Sequence, residues 1–115
     1  MIEEAIRIVQ RAVKNKGMFF HRSGDEMLVL FPNWSESESY AVSEIIRQTI
    51  EKHEFPVIGK GYVTATLGVA TFPTSCNGLN ELEETADVAA MTAKKQKNVV
   101  IVASQLDTQN SKSEV

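Results

Sequence analysis

The chain has 115 residues, with 12 Lys plus Arg against 15 Asp plus Glu, a net charge of −3 and 43% hydrophobic residues. That size suits one domain around a single core, and the charge gives no electrostatic reason for general binding to nucleic acid or to an anionic membrane. A lone cysteine, no apolar run near the ~20 residues of a bilayer span, and no signal-peptide order at Met1-Ile2-Glu3-Glu4 lead us to expect a reducing cytoplasm rather than a secreted, membrane-inserted or disulfide-stapled protein.

Apolar residues at Ile2, Ile6, Val9 and Val13, with Ala5 and Ala12 beside them, predict a helix over Ile2–Val13, closed by Asn15-Lys16-Gly17 with Gly17 free to take positive φ. Residues 18–21 and 27–31 flank Arg22-Ser23-Gly24-Asp25-Glu26 and predict a β-hairpin. Apolar residues on both faces of its second strand imply a covered position inside a sheet. Ser35-Glu36-Ser37-Glu38 is a capping box that opens a helix to about His53, with Tyr40, Ala41, Val42, Ile45, Ile46 and Ile50 as its buried side.

Residues 55–62 read as loop with at most a short extended piece, and residues 63–71 as a strand rich in β-branched side chains. After a turn-rich loop, Asn80-Glu81-Leu82-Glu83 is a second capping box. The helix it opens should run to about Lys95, with Ala86, Ala89, Ala90 and Ala93 small enough to lie close on a sheet. Residues 99–102 form a last strand, and residues 104–115 a polar, frayed tail. Antiparallel pairing followed by a β-α-β step defines an α+β sheet with helices packed on it, in one domain over residues 1–103.

Chemistry is sparse. His21 and His53 stand 32 positions apart without metal-pair spacing, Cys76 has no adjacent base, and the serines show no nucleophile elbow. Asp25-Glu26 stands out, because it sits where a hairpin turns into a buried strand. Two readings remain open there. A carboxylate on a rigid turn can hold a hard cation such as Mg2+ beside a glycine that admits a nucleotide; equally, Gly-Asp is good turn chemistry with a solvated glutamate.

The run His21-Arg22-Ser23-Gly24-Asp25-Glu26-Met27-Leu28-Val29-Leu30-Phe31-Pro32 resembles the signature hairpin of the GGDEF family, the bacterial diguanylate cyclases. Val63-Thr64-Ala65-Thr66-Leu67-Gly68-Val69-Ala70 is similar to that family's V-T-x-S-I-G-V-A strand, and Ala86-Asp87-Val88-Ala89-Ala90-Met91-Thr92-Ala93-Lys94 to its A-D-x-A-L-Y-x-A-K helix. Lys97-Asn98-Val99-Val100 matches the end of its G-R-N-R-V. The resemblance implies a ferredoxin-like, palm-type sheet that binds GTP with Mg2+, two domains meeting to make cyclic di-GMP. It implies Asp25 at the metal-binding acidic position, Glu26 at the second acidic position, implicated in catalysis, Gly24 beneath the nucleotide and Lys94 at its phosphates. Lys94 also has a plain electrostatic reading near a helix C-terminus, and Asp87 reads as structural.

The departures from the family are as informative. Its first strand and helix, D-x-D-x-F-K-x-x-N-D, carry another metal aspartate and the guanine readers, and nothing here matches them. Ser23 replaces the first motif glycine, Met27 the final phenylalanine, His21 and Arg22 the preceding arginine and aromatic, and the glycine before Lys97 is missing. Lys14-Asn15-Lys16-Gly17 stands where the R-x-x-D product site should end, so feedback binding of cyclic di-GMP is not expected. In the family the absent strand lies centrally, between the hairpin and the strand over residues 63–70. The sheet is therefore expected either to close in a new order or to borrow a strand from a second copy or partner domain. Three functions follow from the resemblance: a degenerate, inactive module for regulation or homodimerisation; part of a working cyclase; or a GTP or cyclic di-GMP receptor.

Overall fold

A computed structural model describes residues 2–106. The elements run α1 (Ile2–Val13), β1 (Met18–Ser23), β2 (Glu26–Leu30), α2 (Glu36–Lys52), β3 (Leu67–Val69), α3 (Leu82–Gln96) and β4 (Val100–Val102), with a 3-10 turn at Leu79–Glu81 before α3. The fold is α+β, as the sequence predicts. Residues 103–106 continue as helix, which shortens the expected tail; the rest of that tail, residues 107–115, lies outside the described residues.

α1 buries Ala5, Ile8, Val9 and Val13, a stripe at three- and four-residue spacing that leaves Ile2 on the exposed side. Its end differs from expectation. Lys14, not Gly17, takes the left-handed conformation (φ +46°). Gly17 is required for close approach instead, since a Cβ there would lie 2.5 Å from the Leu30 carbonyl oxygen and 2.7 Å from Phe31 Cδ1.

α2 begins as predicted. Ser35 Oγ accepts from the Glu38 amide at 3.2 Å, and Glu38 Oε1 accepts from the Ser35 amide at 2.9 Å, so two helix-end donors are satisfied reciprocally. Its buried stripe is Ser43, Ile46 and Ile50; Tyr40, Ala41 and Ile45 face outward, because one helix face can meet the core and these lie off it. Ile46 and Ile50 join Ala5, Ile8, Val9 and Val13 of α1 and Phe55 in one core, against which Phe19, Met27, Val29, Phe31, Val63, Ala65 and Leu67 pack. Phe55 is closed in by a small loop in which its own amide and carbonyl both bond to Gly59.

The expected single sheet is divided. β1 and β2 form one antiparallel pair, with Phe19 opposite Val29 and His21 opposite Met27, and β3 and β4 form a separate parallel pair, with Leu67 opposite Val100. The two ladders neither close onto each other nor share a hydrogen bond among the described residues. The predicted strand over residues 63–71 accordingly shrinks to Leu67–Val69, since β-branched residues form a ladder only where a neighbour supplies partners. The hairpin is likewise covered on one face only, leaving Met18, Phe20 and Leu30 on the other substantially exposed.

α3 covers the opposite face of β3. Leu67 points to the α1–α2 core, while Gly68 lies against the Ala86 and Ala90 backbone of α3. Ala89 and Ala93 are fully buried, in line with the predicted alanine seam. The second capping box does not form: no side chain caps α3, and the 3-10 turn leads the chain into it instead. Beyond α3, Asn98 (φ +49°) ties three segments together. It accepts from Arg47 at 3.1 Å, donates to Glu51 at 2.7 Å, and its amide donates to Thr66 Oγ1 at 3.2 Å. Arg47 also grips Glu44 at 2.9 and 3.1 Å, which holds that carboxyl below its usual range.

Lys97 closes α3 with φ +65° and ψ +155°, a region that is essentially glycine's own. Lys97→Gly should therefore raise unfolding stability by about 1 kcal/mol in urea titrations, the relief of ~1–3 kcal/mol of strain less glycine's extra chain entropy.

Candidate functional site

The hairpin turn presents the acidic pair. Ser23 pairs with Glu26, so Gly24 and Asp25 form the tip, and Gly24 takes φ +47° with nothing within 4 Å of where a Cβ would sit. The glycine thus serves the turn's backbone, and the space above it is open. His21 Nε2 lies 2.7 Å from the Gly24 carbonyl oxygen and braces the turn, so this histidine has a structural task. His53 has one too: its Nε2 lies 2.8 Å from Glu4 Oε2, linking the end of α2 to the start of α1.

Glu26 and Lys94 come together across the hairpin–α3 boundary, with Lys94 Nζ 3.8 Å from Glu26 Oε2. Asp25 is exposed and makes no ion pair or side-chain hydrogen bond among the described residues. Of the four residues singled out in the sequence, Gly24, Asp25 and Glu26 are neighbours on the turn, and Lys94 reaches them from α3.

Sequence reasoning missed the strongest contact here. The ladder slips between His21 and Ser23, leaving Arg22 as the extra residue of a bulge, and the bulge aims it at α3. Arg22 Nη1 donates to Asp87 Oδ1 at 2.8 Å and Nη2 to Asp87 Oδ2 at 3.3 Å, with Glu83 Oε2 at 3.7 Å. The Asp87 hydrogen bond, followed by the charge of Asp87, holds the Arg22 guanidinium above its usual pKa. Asp87 is therefore occupied structurally, as its place in the sequence suggested. Nothing in the local pattern announces a bulge, so the pairing could not have been read beforehand.

Magnesium takes near-octahedral oxygen ligation, often one or two carboxylates with water and substrate phosphates. Among the described residues no three His, Cys, Asp or Glu side chains gather to hold an ion. A resident metal cage does not fit these residues; the turn offers Asp25 as one free carboxylate, and Glu26 is shared with Lys94. No helix among the described residues is long and apolar enough to cross a membrane.

A family model described as diguanylate cyclase, GGDEF domain, matches residues 1–99. The chain belongs to the GGDEF family. It is 28% identical over 96 residues to Diguanylate cyclase A of Treponema denticola, a match covering 83% of this chain and 26% of that protein. The chain thus spans about a quarter of this curated relative's length. Its fold is similar to the active GGEEF domain of a diguanylate cyclase from Vibrio cholerae (TM-score 0.79, 16% identity, 89% of this chain and 65% of that one). It is also similar to the coiled coil and GGDEF domain of DgcB from Caulobacter crescentus in complex with c-di-GMP (TM-score 0.72, 19% identity, 88% of this chain and 55% of that one). At these identities the solved structures bear on fold alone.

Proposed function

We propose that this chain is a degenerate GGDEF domain that serves cyclic di-GMP signalling in the cytoplasm as a regulatory or dimerisation module and does not itself condense GTP. The GGDEF-like unit of this proposal is residues 1–103. The observation that carries this reading is the solitary character of Asp25: no set of metal-ligating side chains converges on the turn among the described residues. Phosphoryl transfer depends on positioning and on neutralising the triphosphate, so a turn with one free carboxylate is poorly equipped for it. Incubation with GTP and Mg2+ followed by chromatography should yield no cyclic di-GMP, and product formation would overturn the proposal.

The divided sheet supports a second reading, in which an additional strand from a second copy or a partner enters between the hairpin and β3 and completes a cyclase site. Gly24 and Lys94 would then meet the nucleotide, Asp25 the Mg2+ that such a nucleotide carries, and Glu26 the reacting hydroxyl. Sedimentation analysis narrows the second reading: a strictly monomeric chain removes strand exchange between copies. Calorimetry with GTP and with cyclic di-GMP tests the receptor alternative, which a flat trace for both ligands retires.

A further inference from the structure

We propose that the acidic turn is a latched flap, and that Arg22 is the positioning residue that closes it onto α3. The hairpin is held by different forces at its two ends. Near the strand ends, Phe19, Met27 and Val29 pack into the α1–α2 core, an attachment that salt does not weaken. Toward the tip, residues 21–26 are all exposed, and the hairpin shares no ladder with β3 or β4. Among the described residues, the polar ties leaving that tip are Arg22 to Asp87 and Glu83, and Glu26 to Lys94.

All of those ties are ionic and all end on α3. Asp87 and Lys94 lie seven positions apart, about two helical turns, so they line one side of α3 and meet the turn at two points. Three carboxylates (Glu26, Glu83 and Asp87) meet there against two cations (Arg22 and Lys94). Removing Arg22 leaves three negative charges against one, which repel across the hairpin–α3 boundary. Arg22 therefore does more than add one contact: it neutralises the two α3 acids that would otherwise push Glu26 away. An aromatic side chain at this position, the usual residue of the signature, could not do this. The relation of Glu26 to Lys94 is set by Arg22, whether or not a nucleotide ever binds there.

Native-state amide hydrogen exchange tests the latch on the whole chain. In Arg22→Gln and in Asp87→Asn, amides of residues 21–27 should exchange about threefold to fivefold faster at low salt, the effect of losing an ion pair of this kind. Amides of α1 and α2 should be unmoved. The reversed pair, Arg22→Asp with Asp87→Arg, should restore slow exchange at the tip. In the unmodified chain, 1 M NaCl should accelerate the same amides, and Arg22→Gln should lose that response. Equal tip rates in the unmodified chain and Arg22→Gln, or an acceleration shared by α1 and α2, would overturn the proposal. Should Arg22→Gln fail to fold, the salt series on the unmodified chain decides alone: a tip insensitive to salt refutes the latch.

Discussion

Replacing Gly68 by valine is expected to unseat α3 and cost 3 kcal/mol or about that, the upper part of the ~1–3 kcal/mol range for overpacking a core. The reason is what stands in the way. A Cβ at Gly68 would collide with the Ala90 amide nitrogen and the Ala86 carbonyl oxygen, with the Ala90 Cα at 2.8 Å. These are backbone atoms of a helix whose hydrogen bonds fix them, so no rotamer change makes room. Gly68→Ala already meets the same wall and should lose somewhat less than Gly68→Val. Urea unfolding followed by circular dichroism checks the order: valine below alanine below glycine. Equal stability of all three would mean that α3 does not rest on β3 at this distance.

Phe55→Ala should be the most damaging truncation, removing about 3–5 kcal/mol by the usual cost of deleting a buried phenylalanine. Phe55 is 1% exposed, lies among Ala5, Ile8, Val9, Val13, Ile46 and Ile50, and meets the His53 ring edge-on at 4.5 Å between centroids. It is also the residue that fastens the loop after α2, through both of its bonds to Gly59. Since a domain of this size is held by about 5–15 kcal/mol in total, the variant should lose a large share of its margin and unfold at a much lower urea concentration. Phe55→Leu, which keeps most of the volume, should lose less than about 1.5 kcal/mol. A Phe55→Ala protein with an unchanged midpoint in urea would show that the α1–α2 core does not depend on this side chain.

What could be read in the sequence was what is decided locally. The helix over Ile2–Val13 and the box at Ser35 depend on residues three and four positions apart, and both stand where they were expected. The alanine seam of α3 was legible for the same reason. Features settled by distant neighbours were not. The extent of the strand over residues 63–71 depends on a partner ladder, and only three of those residues find one. Gly17 looked like a helix stop because its sequence context is one, whereas its absent side chain is demanded by Phe31 and Leu30 across the hairpin. At the site, the turn carrying Gly24, Asp25 and Glu26 was plain from the motif. Its attachment was not, because a one-residue slip in the ladder decides where Arg22 points, and the slip has no local signature.

The division of the strands into two pairs has a kinetic consequence. β1 and β2 close over a two-residue tip, and β3 and β4 are joined through a single helix, so every described ladder links neighbours along the chain. The hairpin loses little loop entropy before its first contacts form, whereas the parallel ladder pairs Leu67 with Val100 only after the whole of α3 has been brought round. The hairpin should therefore assemble early, and the β3–α3–β4 crossover should be the slower step in refolding.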